Sequence, residues 1–200
     1  LPSVAPGAAA APAAPEATTA DALAPDLDAA VGTLIHRCLQ LIADAGPDAW
    51  PASRIAGLAG AYRAWLRSNG QANAAAAVGA DRVVAALVRT LESPTGRWLM
   101  AAHRDGGSEL ALSARGDEGI VHHRVDRSFV ADGCRWIIDF KTVHGDDDPL
   151  RLQRKATEYR DQLERYGALF ASEGRPRRLA IYFVAQDRLV ELPPATEAPP

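Results

Sequence analysis

The run Cys134-Arg135-Trp136-Ile137-Ile138-Asp139-Phe140-Lys141-Thr142 constrains the fold more than any other stretch of the chain. It has the length of one strand, is rich in aromatic and β-branched residues, and carries a carboxylate and an ammonium near its end. Successive side chains of a strand alternate faces, so Asp139 and Lys141 project to one side and Trp136, Ile138 and Phe140 to the other. Two charged groups at the end of an apolar strand cost stability and demand an explanation. Lys141 and Lys155 are the only lysines, every other cationic side chain being arginine or histidine. Lysine is a compact point charge whose pKa can shift, whereas arginine is forked and always charged.

Asp132-Gly133 is a two-residue hairpin signal between 125–131 and 134–141. Such a turn pairs Ala131 with Cys134, and the same register sets Asp126 opposite Asp139, with Cβ atoms roughly 4.5–5.5 Å apart. A four-residue loop keeps this register; a three-residue loop with a bulge shifts it by one. Facing carboxylates repel, and a shared proton, a nearby arginine or a hard divalent cation would relieve them. A cation held by two carboxylates beside Lys141 can activate a water and stabilise charge on a phosphate. In the plainer alternative, Asp126 is a surface residue paired with Arg124 or Arg127.

Residues 1–25 are almost all Ala, Pro, Gly and Thr and read as a disordered linker to an upstream domain; 193–200 read as a similar tail. Because the chain begins at Leu1, it is expected to be a segment of a longer protein. Between the tails, 26–192 read as one domain. Apolar periodicity and breakers predict helices over 28–43, 51–68, 72–91 and 93–101, strands over 108–114, 120–131 and 135–142, a long helix over 150–172, and strands over 178–185 and 189–192. The loop 145–149 is acidic and expected to be mobile. This order predicts an α/β architecture, a mixed sheet with helices packed on it and a helical N-terminal portion.

A net charge of −3 argues against a dedicated, tight nucleic-acid binder acting alone, though not against an enzyme that receives nucleic acid from a partner. Two cysteines, Cys38 and Cys134, give no disulfide framework, and with no secretory signal the cytoplasm is expected. No apolar run approaches the ~20 residues of a membrane span. No GxxxxGK[ST] loop is present for ATP hydrolysis.

Five segments, in order, resemble one family. They are Gly32-Thr33-Leu34-Ile35-His36-Arg37-Cys38-Leu39, Ser108-Glu109-Leu110, His123-Arg124-Val125-Asp126-Arg127, Trp136 to Thr142, and Tyr159-Arg160-Asp161-Gln162-Leu163-Glu164-Arg165-Tyr166. Together they are similar to the RecB-type nuclease domain of the PD-(D/E)XK superfamily, which has a restriction-endonuclease-like fold and terminates bacterial helicase–nucleases that process broken DNA ends. The resemblance implies a Mg²⁺-dependent deoxyribonuclease, with Mn²⁺ also tolerated. It implies DNA as substrate and helicase motor domains upstream as partner.

It further implies His36, Asp126, Asp139 and the backbone carbonyl of Phe140 as metal ligands. Lys141 would polarise the attacking water and stabilise the phosphate, Glu109 would position Lys141 or a second metal, and Gln162 and Tyr166 would reach the site or the DNA backbone. Tyr159 shares their helix face and would contact DNA, and Arg175, Arg177 and Arg178 form a basic cluster that could touch phosphates or face solvent. Read without the family, His36 is a partly buried, hydrogen-bonded histidine, Glu109 an exposed strand residue, and Tyr166 a core residue beside a solvated Gln162. His122 and His123 fall on opposite strand faces and cannot serve one metal. Arg124 stands where the family usually has glycine, and the acidic loop after Lys141 departs from a basic DNA-facing surface. A catalytically silent DNA-binding or docking module is the non-enzymatic alternative. A relative with an iron–sulfur cluster needs four cysteines, which this chain lacks.

Overall fold

The computed structural model describes residues 26–193 except 117–118, 144 and 146–147, with the backbone alone along 112–122. The linker 1–25, nearly all of the tail 193–200, and much of the acidic loop lie outside the described residues.

The first helix, α1 (Leu27–Ala45), is capped by the Asp26 side chain, which accepts the Asp28 N–H at 2.9 Å. It buries the stripe Val31, Leu34, Ile35, Cys38, Leu39 and Ile42, the face its periodicity predicts, and ends at Gly46. The single helix expected over 51–68 is instead α2 (Ala52–Gly57) and α3 (Ala59–Ser68). Gly57 and Gly60 weaken it on either side of Leu58, whose N–H takes the tighter bond to Ile55. Then come α4 (Asn73–Glu92) and α5 (Pro94–Met100), the latter capped by Ser93, whose Oγ accepts the Gly96 N–H at 2.8 Å.

Among the described residues, five strands form one mixed sheet in the order β1 (Arg104–Gly116), β2 (Gly119–Ala131), β3 (Cys134–Lys141), β4 (Arg177–Phe183), β5 (Arg188–Leu192). Neighbours run antiparallel except β3 and β4, which are parallel and therefore need a crossover. α6 (Pro149–Thr157) and α7 (Arg160–Ala168) supply it. The uninterrupted helix expected over 150–172 breaks at Glu158 and Tyr159, where amide bonds tighten to the third residue back. That break turns the Tyr159 ring toward the sheet, against Lys141.

Helices α1–α5 cover one face, packing on Phe129, Trp136, Ile138, Phe140 and Tyr182. Helices α6 and α7 cover the other, on Val125, Ile137, Ile181 and Phe183. The turn at Asp132-Gly133 has φ 50 and 75, positive at both central residues as a type I′ hairpin requires. It sets Ala131 opposite Cys134, and the ladder runs in that register to Arg127 opposite Ile138. There it stops, one pair short of Asp126 and Asp139.

The reason lies in β1 and β2. Residues two apart in a strand normally share a face. Here Arg127 donates to Ser108 Oγ and to carbonyls of the α5 end, on the α1–α5 side, while Leu110 and Val125 pack under α6 and α7. The ribbon therefore turns over at Glu109 and Asp126. Glu109 sits at φ 50, a left-handed conformation that costs a non-glycine residue about 1–2 kcal/mol.

Arg127 fixes the α5 end to this twist. It is buried and donates to Leu99 O at 3.0 Å, Ala101 O at 2.7 Å and Ser108 Oγ at 3.2 Å. Arg127→Met, which fills the space but orphans the buried Leu99 carbonyl and two half-buried acceptors, should lower the unfolding free energy by roughly 2–4 kcal/mol in urea titration.

Candidate functional site

Where the β2–β3 ladder stops, a side chain takes its place. Asp126 Oδ2 accepts the Phe140 N–H at 2.7 Å, so the backbone of β3 is satisfied by a carboxylate instead of a strand. Asp126 Oδ1 lies 3.6 Å from His36 Nδ1. His36 reaches it from α1, and Gly32 sets how closely α1 approaches. A Cβ at Gly32 would stand 2.7 Å from Thr142 Oγ1, just past the end of β3. The imidazole also meets the Phe140 ring edge-on, 5.9 Å between centroids.

Glu109 completes this group from β1. Its left-handed backbone turns the carboxylate into the same space, where Arg124 holds it at 3.2 Å. One ligand atom each from His36, Glu109 and Asp126 falls within 4.8 Å of the others. They line a cleft of about 770 Å³ together with Gly32, Gln40 and Thr142.

Asp139 faces the other way, beneath α7. It is 4 % exposed, its Oδ1 accepts from Gln162 Nε2 at 3.2 Å, and its Oδ2 is 2.6 Å from Lys141 Nζ. Gln162 is braced in turn by Tyr166 Oη at 2.8 Å, and the Lys141 ammonium lies over the Tyr159 ring at 4.3 Å. The His123 ring packs edge-on against Tyr166, 5.7 Å between centroids.

The electrostatics join the two halves. Burial and the neighbouring Asp126 raise the Asp139 pKa against the opposing pull of Lys141. For His36, burial is the largest influence and pulls downward, but Asp126, Asp139 and Glu109 together outweigh it and the pKa is raised. Lys141 behaves alike: burial lowers it, Asp139 outweighs that, and the pKa rises. Lys141 thus remains a cation, suited to stabilising negative charge and not to abstracting a proton.

The donor set that meets on the α1 side, the Glu109 and Asp126 carboxylates and the His36 imidazole, fits a hard divalent cation. Asp126 pairs with neither Arg124 nor Arg127, so the surface-pair alternative fails: Arg124 is on Glu109 and Arg127 under α5. Tyr166 packs against the core under α6 and α7, as the plainer alternative has it, but Gln162 is half-buried and not solvated, and the two bond to each other over Asp139.

The arginine cluster does not join the site. Arg177 pairs across β3 with Arg135, whereas Lys141 pairs with Phe183, six residues and roughly 20 Å of strand away. There Arg175 lies 3.9 Å from Glu173, Arg177 donates to Gly167 O, and Arg178 stacks on Trp136 and meets Glu191. These contacts hold the far end of the sheet together. Sequence reasoning assigned no role to Gly32 and Thr142; a glycine within a strongly apolar helical stripe was the available signal.

A raised His36 pKa means that the His36–Asp126 pair stabilises the metal-free fold fully below pH ~6.5 and that this stabilisation is lost as pH rises through the raised value. Cation binding needs neutral imidazole and runs the opposite way. Saturating Mn²⁺ should raise the melting temperature at pH 8 by several degrees, by less at pH 6, and by almost nothing at either pH in Asp126→Asn, as read by thermal denaturation.

The sequence matches the profile of the PD-(D/E)XK nuclease superfamily over residues 13–198, which spans every element described. A search of curated proteins returned no significant match. The mixed five-stranded sheet flanked by helices is the architecture of that superfamily, whose members are metal-dependent nucleases. The chain belongs to the PD-(D/E)XK nuclease superfamily.

Proposed function

We propose that this chain is the nuclease domain of a RecB-type helicase–nuclease. In this reading it degrades single DNA strands exonucleolytically, with Mg²⁺ (Mn²⁺ also serving), during double-strand break repair and recombination in the cytoplasm. The observation that carries the nuclease reading is the meeting of His36, Glu109 and Asp126 beside the Asp139–Lys141 pair. The finer reading rests on the order of the five motifs. Delivery of the strand by upstream motor domains accords with a net charge of −3 and with a chain that has no phosphate-binding loop of its own.

His36, Glu109 and Asp126, which meet on the α1 side, would hold the cation; the resemblance adds Asp139 and the Phe140 carbonyl as ligands, although Asp139 is turned beneath α7 onto Lys141 and Gln162. A divalent cation there supplies positive charge against the scissile phosphate and lowers the pKa of water. Lys141 places its ammonium against the charge that develops on the phosphate oxygens. Gln162, braced by Tyr166, keeps Asp139 in one orientation, and Tyr159 shields one side of Lys141. Phe140 packs on His36 and limits its ring to orientations near Asp126.

The test is cleavage of end-labelled single-stranded DNA with Mg²⁺, Mn²⁺ or EDTA. EDTA should abolish it, and Asp126→Ala, Asp139→Ala and Lys141→Ala should each lower kcat by roughly 10²–10³-fold. Unchanged turnover in Asp139→Ala or Lys141→Ala would sink the mechanism. Binding of DNA without cleavage under every metal condition would identify a silent module instead. Equal degradation of closed circular strands would refute exonuclease action, since a circle offers no end.

A further inference from the structure

The outer surface of α1 does not end at the cleft. His36 and Gln40 form one row along the helix, and Arg37 and Leu41 the next row round. The second row borders a separate hollow of about 450 Å³ between α1 and α3, lined by Arg37, Gln40, Leu41, Ala61 and Trp65. Arg37 and Gln40 line both the hollow and the cleft, so the two are continuous across α1. Leu41 is 55 % exposed at the rim, one of three large apolar residues among those described to be so open. Trp65 is half-buried, and the Arg37 guanidinium lies 5.8 Å from its ring centroid.

Charge singles out the same region. Residues 51–80 contain Arg54, Arg63 and Arg67 and no Asp or Glu, although the whole chain carries a net −3. Arg54 is taken up by stacking on Trp50 at 4.1 Å. Arg63, Arg67 and Arg37 remain exposed. The Arg37 guanidinium of α1 beside the Trp65 indole, next to an apolar hollow whose α3 wall lies in a segment without carboxylates, suits a chain that alternates phosphates with flat apolar rings.

We propose that this hollow is a base-stacking subsite for single-stranded nucleic acid. One unpaired base lies against Trp65 and Leu41, and the adjoining phosphate lies against Arg37 on its way over α1 into the cleft. The subsite deepens the nuclease reading and rests on it for the identity of the ligand. It accounts for how an acidic chain grips a strand: contact comes from stacking on the α1–α3 side and not from the arginines at the far end of the sheet. A duplex would not fit this arrangement, because its bases are already stacked on one another.

Binding can be read apart from cleavage. In EDTA, fluorescence anisotropy should compare a 12-residue oligothymidylate with an abasic 12-mer of the same length and charge. The wild-type protein should bind the oligothymidylate about 10-fold more tightly, within the range of a single base–aromatic stack. Trp65→Leu, which keeps apolar packing but removes the stacking face, should abolish that preference while leaving the abasic affinity unchanged; Trp65→Phe should retain most of it. Arg37→Ala should weaken both oligomers alike and reduce the salt slope by about 0.7. Equal binding of the two oligomers by the wild type, no binding of either, or an intact preference in Trp65→Leu would overturn the subsite. A base preference that depends on Trp65, in a protein that cleaves nothing with Mg²⁺ or Mn²⁺, would sink the nuclease reading and leave the subsite standing. If the hollow instead receives another protein domain, Trp65→Leu leaves both affinities unaltered.

Discussion

The Asp126 carboxylate, accepting the Phe140 amide, is the contact on which the rest of the site depends. A strand amide in the middle of a sheet is normally satisfied by its neighbour's carbonyl, and leaving it bare costs as much as a lost hydrogen bond. Here the neighbour has turned away, and a side chain replaces it. That substitution permits β2 and β3 to part at their ends without an orphaned donor. The parting makes room for carboxylates from both strands, and it fixes one oxygen of Asp126 while leaving the other aimed at His36.

Around this contact the charges balance in two linked halves. On the α1 side a raised-pKa imidazole offsets Asp126 and Glu109; on the α7 side a lysine offsets Asp139. Each pair relieves part of the repulsion among three carboxylates; burial first, and the neighbouring Asp126 second, still hold the Asp139 pKa up. Such repulsion is a cost to stability that a bound cation would remove. Arg127 and the left-handed Glu109 belong to the same bargain. One anchors the twist with three hydrogen bonds, and the other holds a strained backbone so that its carboxylate points inward.

The helices divide the labour. α1 contributes His36, and Gly32 sets how closely it approaches the end of β3; α7 contributes Gln162 and Tyr166 through the break at Tyr159. The sheet itself supplies the charged residues at one end and is closed at the other by Arg135, buried against Glu173 at 2.6 Å. The candidate site and the structural clamps thus sit at opposite ends of the same strands.

Much of this was legible in the residues. The positive-φ turn at Asp132-Gly133 fixed the β2–β3 register, because a two-residue hairpin leaves little choice. The apolar stripe of α1 and the alternation along β3 placed His36, Asp139 and Lys141 on their elements. The sequence could not reveal that the ladder would fail one pair early. The strand period assumes a regular pleat, and a ribbon that turns over at Glu109 and Asp126 breaks the assumption through packing on two sides at once. Asp126 and Asp139 were therefore placed face to face, whereas tertiary packing sends one toward α1 and the other beneath α7. The helix breaks at Leu58 and Tyr159 and the burial of Arg127 belong to the same class. Local pattern determined which residues are charged and on which element; only long-range packing decided where each charge points, because direction at the end of a strand is set by what lies above and below it.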